Sequence, residues 1–291
     1  MMLTSHLGDP ASKPLTVTQF RTLMHRMKTA KKTEKSRHLQ TEDLYALGYG
    51  EDFARNILQL LDRQEQLEYY VNQAGKWDCY PISRIGELYP SVLRRKLGED
   101  CPGCLWAKGD STLLQRPGVS LVGSRELLPD NENFAREVGR QAALQGYVLI
   151  SGNARGADRA AQESCLDYGG QVISIVADSL QKCKDRPGVL YLSEDGWDCS
   201  FSSIRALSRN RLIHAIGEKT FVAQCSCGKG GTWNGTVHNL QHRLSPVFCY
   251  QDGSEAVSTL SVMGAQTLDI FDLSDFSALQ EFERSLFDSD I

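Results

Sequence analysis

The chain has 291 residues and a formal net charge of −4, with 41% hydrophobic and 23% charged residues. These values are typical of a globular protein with a sizeable core, and the slight acidity argues against a protein that coats nucleic acid without discrimination. No apolar run reaches the roughly 18–20 residues of a membrane span, and the start lacks the basic flank and apolar stretch of a signal peptide, so we expect a cytoplasmic protein that does not enter a membrane.

Residues 1–75 are predicted to form a small helical domain. In LTVTQFRTLMHRM, a threonine suited to N-capping precedes a helical pattern. The apolar face of this first helix is formed by Phe20, Leu23 and Met27. The segment TEDLYALGYGEDFARNILQLLDRQEQLEYYVNQAG predicts two more helices, with Thr41 as the N-cap and the glycines at 48 and 50 as the break.

Residues 76–116 are predicted to connect this helical domain to the rest of the chain. Within them, LYPSVLRRKL has a helical pattern. The later stretch GCLWAKGD predicts a short strand followed by a turn.

The nine cysteines are an odd number and are scattered along the chain, which indicates reduced intracellular thiols rather than a disulfide framework. Cys101 and Cys104 have the spacing of a zinc half-site, and Cys225 and Cys227 offer a second pair. However, a C-x-C pair is a poor partner for C-x2-C, and no histidine completes either spacing. Free thiols without a bound metal are therefore the favoured interpretation over zinc.

Residues 117–270 show apolar strands that alternate with helices. The strands are GVSLVGS, YVLISG, QVISIVA, KTFVAQCS and SPVFCY; the helices are NENFAREVGRQAALQG, ADRAAQESCLDYGG and one within 233–243. In the first of these helices the apolar positions are 134, 138, 142 and 144. Such alternation predicts βαβ units and an α/β fold, with a doubly wound, mostly parallel, Rossmann-like sheet covered on both faces.

Two segments have a strongly uneven charge. Residues 20–40 contain seven Lys or Arg against one Glu, and the residues from 266 to the end contain seven acids against one Arg. Both patterns are typical of solvated surface, although the basic segment also suits a face that attracts phosphate. We predict that residues 271–291 form an acidic C-terminal tail.

Three glycine-bearing turns are predicted at the carboxyl ends of strands, where ligands bind in such sheets. The turns comprise Gly123, Ser124 and Arg125; Ser151, Gly152, Arg155 and Gly156; and Lys229, Gly230 and Thr232. Small residues let backbone N–H groups approach an anion, and each turn leads into a helix whose positive end favours phosphate. Any one glycine turn is ordinarily just a turn, but three that converge and carry cations predict a phosphate-binding crevice.

A further basic element, SRNRLIHAIG, places Arg209 and Arg211 on either side of Asn210, ahead of a short apolar helix. This arrangement suits phosphate oxygens and base edges, and equally a surface helix start with salt bridges. Neither a dinucleotide fingerprint nor a P-loop is present, because the first turn lacks G-x-G-x-x-G and GKGGT departs from the P-loop pattern.

No catalytic apparatus is recognisable in the sequence. His214, His238 and His242 fall on predicted helices, without a serine or cysteine nucleophile in a known motif. Asp158 is a carboxylate within the predicted crevice. It has the chemistry of a general base, but the favoured interpretation is structural: a cap for the following helix or a partner that orients Arg155. We predict that the protein is not an enzyme.

The run LVGSRELLPDNENFAREVGRQAALQGYVLISGNARGADRAA resembles the DNA-processing protein A family, also called DprA or Smf. The similarity continues through GGQVISIVA, RNRLI at 209–213 and KGGTWNG at 229–235, and upstream through ELYPSVLRRKLGEDCPGCLWAKGD. It covers nearly the whole chain, from about 15 to 268.

The resemblance implies an extended Rossmann-like fold that binds single-stranded DNA in a basic pocket, forms homodimers and delivers the DNA to the RecA recombinase in natural transformation. It requires no cofactor. Carried over by position, the pocket comprises Gly123, Ser124, Arg125, Ser151, Gly152, Arg155, Gly156, Arg209, Asn210, Arg211, Lys229, Gly230 and Thr232.

The sequence also departs from the family pattern. Gln162 stands where the family often has histidine, and DSLQKCKDRPGVLY replaces its third-strand loop. The last turn has glycine and lysine in place of Ser-Gly, and the acidic tail stands where a winged helix would follow. The chain is therefore expected to be a divergent member, and RecA loading is a weaker expectation than the fold.

Two alternatives remain open. In one, the crevice senses a free nucleotide or nucleotide-derived signal. In the other, the protein is a nucleotide phosphoribohydrolase like the lysine-decarboxylase-like (LOG) group, although GKGGTWNGT lacks the glutamate that this reaction needs. A DNA binder gains affinity with oligonucleotide length and loses it with salt, whereas a sensor saturates with one nucleotide.

Overall fold

The computed structural model describes residues 1–9, 11–30 and 38–279. The middle of the basic segment and the end of the acidic tail lie outside these described residues. Contacts divide the chain into two units. The first consists of Met1–Gly109, Asp178–Lys184 and Leu192–Ser200, and the second of Asp110–Ala177, Asp185–Tyr191 and the chain from Phe201. Across the described ranges, no helix has both the length and the apolarity needed to cross a membrane.

The helices and strands follow one another in the order of an α/β protein preceded by helices. The helices are α1 (Val17–Thr29), α2 (Thr41–Ala46), α3 (Glu51–Leu61), α4 (Gln64–Gly75), α5 (Ser91–Leu97), α6 (Pro129–Leu144), α7 (Ala157–Asp167), α8 (Ser203–Ser208), α9 (Asn210–Ile216), α10 (Gly230–His242) and α11 (Glu255–Val262). The strands are β1 (Cys79–Ser83), β2 (Cys104–Lys108), β3 (Gly118–Val122), β4 (Val148–Ser151), β5 (Gln171–Ile175), β6 (Val189–Ser193), β7 (Thr220–Val222), β8 (Val247–Tyr250) and β9 (Gln266–Leu268).

The first helix begins as the sequence predicts. The Thr16 hydroxyl accepts a hydrogen bond from the Gln19 N–H at 3.2 Å, and the Gln19 side chain accepts one from the Thr16 N–H at 2.9 Å. This capping box satisfies N–H groups that the helix leaves unpaired. On the predicted apolar face, Leu23 is fully buried whereas Met27 is 40% exposed.

The predicted N-cap of α2 is wrong by one residue. Gln40 has the extended backbone of an N-cap, and Thr41 is already the first helical residue. The Asp43 carboxylate accepts a hydrogen bond from the Gln40 N–H at 3.0 Å, so this acid closes the helix start. The glycine break is confirmed, with Gly50 as the N-cap of α3. The stretch after that break contains two helices, α3 and α4, rather than one.

The nine strands form one mixed sheet in the order β1-β2-β6-β5-β4-β3-β7-β8-β9. The strands β1 and β2 pair antiparallel, whereas β3 pairs parallel with both β4 and β7, and β4–β5, β7–β8 and β8–β9 are also parallel. The predicted mostly parallel α/β sheet with N-terminal helices is thus confirmed. After β3, the strands β4, β5 and β6 are added in turn on one side of β3, and β7, β8 and β9 are then added on its other side. A crevice is expected where the order reverses, beyond the carboxyl ends of β3 and β7.

The core of the second unit lies between this sheet and the helices α6 and α7. Phe134, Val138 and Ala142 of α6 are fully buried, as their spacing predicts. Leu144, which belongs to the same predicted face, is 56% exposed because it is the last residue of the helix. At Gly139 the two helices approach so closely that a Cβ would lie 2.9 Å from the carbonyl carbon of Ala161 and overlap its oxygen.

Substituting Gly139 with alanine is expected to destabilise the protein by about 2 kcal/mol, because the added methyl group collides with a helix backbone that cannot rotate away. Thermal and urea unfolding measure this loss. The matched control is Gly75→Ala at the end of α4, where a Cβ meets nothing within 4 Å. That variant should be unchanged or slightly more stable. Equal stability of the two variants would contradict the close contact of α6 with α7.

Candidate anion-binding crevice

A crevice of about 740 Å³ opens beyond the carboxyl ends of β3 and β7, at the point where the strand order reverses. All of its lining residues belong to the second unit. The lining comprises 122–128, Ala154, Asp158, Phe201, Ser203, Ala206, Leu207, Arg209, Asn210, Ile213, Gln224, Ser226, Lys229, Gly230, Gly231 and Thr232. The predicted position of a ligand crevice therefore coincides with a cavity of ligand size.

The turn after β3 is fixed by its backbone. The Ser124 N–H and hydroxyl donate to the Gln224 carbonyl at 2.9 and 3.2 Å, and the Thr232 hydroxyl donates to the Gly123 carbonyl at 2.9 Å. Glycine is required at 123, because a Cβ there would overlap with Ala157 of α7. These bonds hold the turn between two elements and leave the Arg125 side chain exposed in the crevice lining.

The turn after β4 lies behind the first turn and supports it. Gly156 has a φ of +78°, and a Cβ there would lie 2.6 Å from the Arg125 carbonyl carbon. The Ala157 N–H, at the start of α7, donates to the Ser124 carbonyl at 3.1 Å. The first N–H group of α7 is thus bonded within the protein.

Ser151 and Gly152 are buried beneath this second turn in a polar network. The Gln162 amide donates to the Ser151 hydroxyl at 2.6 Å and also to the Gly152 carbonyl. The same carbonyl accepts a hydrogen bond from the Ser174 hydroxyl at 3.0 Å. Gln162 occupies the position at which the resemblance leads one to expect histidine. Its amide supplies the donors that fix the carbonyl of the turn.

Arg209 lies in the floor of the crevice and is largely buried. Its Nη2 is 3.9 Å from Asp158 Oδ2, with the two side chains only 11% and 8% exposed, and its Nη1 donates to the Ile175 carbonyl at the end of β5. A Cβ at position 152 would overlap the Arg209 guanidinium, so glycine is required there. Arg209 thus ties β4, β5 and α7 together, which is a role that the sequence pattern did not distinguish from phosphate binding.

Asp158 is the buried counter-charge of Arg209. Its carboxylate also accepts a hydrogen bond from the Ala154 N–H at 3.2 Å. Burial raises the pKa of Asp158, and the neighbouring Arg209 opposes that rise. These contacts agree with the structural interpretation of Asp158, although the cation that it orients is Arg209 and not Arg155.

The turn before α10 presents the start of a helix to the crevice. Gly228 and Gly230 have φ values of +73° and +89°, which glycine adopts without strain. Within the described chain, no side chain caps α10 and no acid lies in its first turn. The N–H groups of this first turn and the exposed Lys229 therefore present positive charge to the cavity.

Eight of the thirteen predicted site residues line the crevice together. They are Gly123, Ser124, Arg125, Arg209, Asn210, Lys229, Gly230 and Thr232. The other five do not line it: Ser151 and Gly152 are buried, Gly156 packs against the first turn, Arg155 is exposed elsewhere and Arg211 is half-buried. Asn210 lines the crevice while its amide donates to the Gly231 carbonyl at 3.0 Å.

Sequence reasoning missed several lining residues, including 126–128 directly after the first predicted turn. Gln224 and Ser226 follow β7, and the position of that strand beside β3 is the signal that identifies them. Phe201 and Leu207 belong to a short segment around α8 whose pattern is too brief to reveal a face. Both side chains are large, apolar and about half exposed, at 51% and 49%.

The three histidines named from the sequence lie on α9 and α10, outside the crevice lining. His214 is fully buried, 3.1 Å from the Asn239 amide, and burial together with His238 lowers its pKa to about 3, so it is neutral at neutral pH. The rings of His238 and His242, both on α10, stack on each other with their centroids 4.1 Å apart. Among the described residues, no disulfide joins any of the cysteines. In the part of the chain that the structure describes, no three or more His, Cys, Asp or Glu are grouped to hold a metal.

Comparison with known proteins gives a consistent result. The sequence matches the DNA recombination-mediator protein A family over residues 82–272. It is 29% identical over 163 residues to DNA processing protein DprA of Streptococcus pneumoniae, which covers 53% of this chain and 54% of that protein. It is 26% identical over 136 residues to the Bacillus subtilis protein of the same name, which covers 43% of this chain and 46% of that one. The chain spans about half the length of these curated relatives.

Solved structures show the same fold. The X-ray structure of DprA from Streptococcus pneumoniae superposes with a TM-score of 0.71 at 22% identity, over 89% of this chain and 92% of that one. A Helicobacter pylori structure, described for the single-stranded DNA binding mode of DNA processing protein A, gives a TM-score of 0.56 at 25% identity. That similarity covers 67% of this chain and 94% of the Helicobacter pylori chain.

Proposed function

The chain belongs to the DNA recombination-mediator protein A family, and on that premise we propose that it binds single-stranded DNA in the crevice and leaves that DNA chemically unchanged. The proposal includes delivery of the strand to a RecA recombinase during recombination or natural transformation. It also includes a cytoplasmic homodimer as the working form. The Helicobacter pylori relative, described for its single-stranded DNA binding mode, supports the choice of ligand.

The uncapped start of α10 beside two exposed cations is the observation that carries the proposal. Lys229 and Arg125 lie in one cavity with the first-turn N–H groups of Gly230 and Gly231. Helix starts of this kind bind phosphate, and a cation adds charge-assisted hydrogen bonds. Contacts of these groups with phosphate carry no sequence information, which suits a protein that accepts any sequence.

The remaining charge of the crevice supports binding without catalysis. Arg209 and Asp158 are paired in the largely buried floor of the crevice, so their charges compensate. The exposed part of the lining carries the cations Arg125 and Lys229 and the carboxylate of Glu126, and the described lining residues include no histidine or cysteine. The cations and N–H groups would hold a phosphodiester without a nucleophile–base pair of the usual kind. A strand would slide through such a site with its backbone held at successive phosphates.

Fluorescence anisotropy of labelled oligo-dT, from a single nucleotide to several tens of nucleotides, tests this function. We expect affinity to rise with length, and log affinity to fall with log salt by about 0.7 per phosphate contacted. Saturation by a mononucleotide, without any gain from length, would instead support the sensor. Release of a free base from a nucleoside monophosphate would support the phosphoribohydrolase.

The delivery and assembly steps need separate measurements. Light scattering of the purified protein gives the oligomeric state, which we expect to be a dimer. Nucleation of RecA filaments on oligo-dT coated with a single-strand-binding protein should be faster in the presence of this chain. Tight DNA binding without such acceleration would restrict the function to holding the strand.

A further inference from the structure

We propose that Cys225 and Cys227 form a reversible disulfide when the protein is exposed to a hydroperoxide, and that this bond weakens ligand binding in the crevice. Both cysteines lie in the segment that connects β7 to α10. Formation of the bond is independent of what the crevice binds, whereas its effect on DNA rests on the proposed function.

The segment between β7 and α10 contributes to the crevice without placing a thiol in its lining. Gln224 and Ser226, on either side of Cys225, line the cavity, and Lys229 lines it as well. Ser226 and Lys229 form an antiparallel bridge, in which the Lys229 N–H donates to the Ser226 carbonyl at 3.4 Å. A change in the backbone on either side of Ser226 would therefore move the exposed cation of the proposed phosphate site.

The two thiols differ in accessibility. Cys227 is half-buried, whereas most of the cysteines are buried, and its Sγ lies 3.8 Å from the Thr259 hydroxyl of α11. Cys225 is only 8% exposed, and burial raises the pKa of its thiol to about 11. Because hydroperoxides attack accessible thiols first, oxidation begins at Cys227, and Cys225 is the thiol that then closes the bond.

The spacing of the two cysteines suits a bond that bends the chain locally. Residues two apart have Cα atoms no more than about 7 Å from each other, and a disulfide spans about 4.4–6.8 Å between Cα atoms. A disulfide also brings the two Cβ atoms to about 3.8 Å, so closing it bends the backbone at Ser226. Gly228, which directly follows Cys227 at a φ of +73°, gives this turn the conformational freedom to adjust.

Cys249 of β8 is a less suitable partner for Cys225. It is fully buried, at the strand position paired with Val222 of β7. An oxidant reaches this thiol only if the core of the sheet opens, whereas Cys227 is accessible in the folded protein. The structure therefore favours the bond between the two cysteines of the turn.

The reaction consumes one peroxide for each bond. Hydrogen peroxide transfers one oxygen to the Cys227 sulfur as its O–O bond breaks, which gives a sulfenic acid and water. The Cys225 sulfur then attacks the Cys227 sulfur, and the S–O bond breaks as the S–S bond forms. The displaced hydroxide takes the Cys225 proton and leaves as a second water. A dithiol such as dithiothreitol reverses the oxidation by thiol–disulfide exchange.

Mass spectrometry of the full chain tests the bond. The reduced protein is treated with hydrogen peroxide, its remaining thiols are alkylated and trypsin is added. Cleavage after Lys219 and Lys229 releases a peptide that contains both thiols, and we expect this peptide to be unalkylated and two hydrogen atoms lighter than its dithiol form. Cys225→Ser should instead leave Cys227 as a sulfenic acid that dimedone captures. Cys199→Ser, at the other half-buried cysteine, is the matched control and should form the bond as the wild type does.

Anisotropy of labelled oligo-dT tests the consequence for the crevice. The oxidised wild type should bind about tenfold more weakly than the reduced protein, which is the change expected when one charged hydrogen bond is lost. Dithiothreitol should restore the affinity. The variant Cys225→Ser/Cys227→Ser should bind like the reduced wild type whether or not peroxide is added, and equal melting temperatures would verify that this variant is folded.

The outcomes separate this inference from the proposed function. A peptide that remains alkylated at both thiols after peroxide treatment, or one that is cross-linked to the peptide containing Cys249, would overturn the assigned bond. A bond that forms without changing the affinity for oligo-dT would overturn its effect on the crevice. If the reduced protein binds no oligo-dT at low salt, the proposed function fails, while the mass of the peptide still decides whether the bond exists.

Discussion

The double variant Arg125→Ala/Lys229→Ala is expected to bind oligo-dT about a hundredfold or more weakly than the wild type. Both cations are exposed in the crevice lining, and a hydrogen bond from a charged group contributes about 1.5–3 kcal/mol, which is roughly ten- to a hundredfold in affinity for each. The salt dependence should also become shallower by about 1 to 1.5, because two phosphate contacts are lost. Anisotropy titrations at several salt concentrations measure both effects.

The control for this experiment removes two positive charges from the same unit but away from the crevice. Arg136 and Arg140 of α6 pair with Glu132 and Glu137, each at 2.8 Å. Arg136→Ala/Arg140→Ala should therefore keep nearly the wild-type affinity, since only the net charge changes. If the crevice variant binds as tightly as this control, the strand is held elsewhere on the protein.

Asp158→Ala is expected to cost about 3–5 kcal/mol of unfolding free energy, because it leaves the buried Arg209 guanidinium without its counter-charge. At about 2–4 °C per kcal/mol, the melting temperature should fall by roughly 10 °C. The variant also loses the acceptor of the Ala154 N–H, so the turn after β4 is loosened as well. Urea and thermal unfolding provide the measurement.

Two further variants keep this prediction specific. Asp167→Ala removes an exposed carboxylate from the last residue of the same helix, where it opposes the helix dipole, and should change stability by less than about 0.5 kcal/mol. Asp158→Asn keeps an oxygen acceptor and loses only the charge, so its stability should lie between those of the alanine variant and the wild type. A loss below about 1 kcal/mol in Asp158→Ala would show that Arg209 does not depend on this pair.

The parallel sheet was predictable because its central strands are buried on both faces. The strands β3 and β4 appear in the sequence as apolar runs followed by glycine, and β5 as an apolar run that follows a pair of glycines. Three strands were missed: β6, which lies between β2 and β5, and the strands at the two ends of the sheet. Of these, β1 contains Pro81 and β9 has only three residues. Edge strands tolerate proline and polar residues, so their sequences have no comparable pattern.

The position of the crevice was predictable from the sequence. Which of its arginines are exposed and which are buried was not. The sequence shows that Arg125, Arg155 and Arg209 lie near glycine turns, but not which way each side chain points. The direction of Arg209 is set by the space that Gly152 leaves and by the Ile175 carbonyl, and that residue is distant in sequence. The apolar lining residues Phe201 and Leu207 were equally hidden, because the six-residue helix α8 is too short to show a periodic face.

The turn before α10, which we propose faces phosphate, is built mainly from main-chain groups, with glycine at 230 held at a φ of +89°. Apart from the Lys229 side chain, its donors would be missed by a scan that only shortens side chains, because every N–H stays in place. It also tolerates substitutions, because the same backbone N–H groups are presented whether the turn carries serine or lysine. Insertions into the turn, or proline in the first turn of α10, are the changes that would expose its contribution.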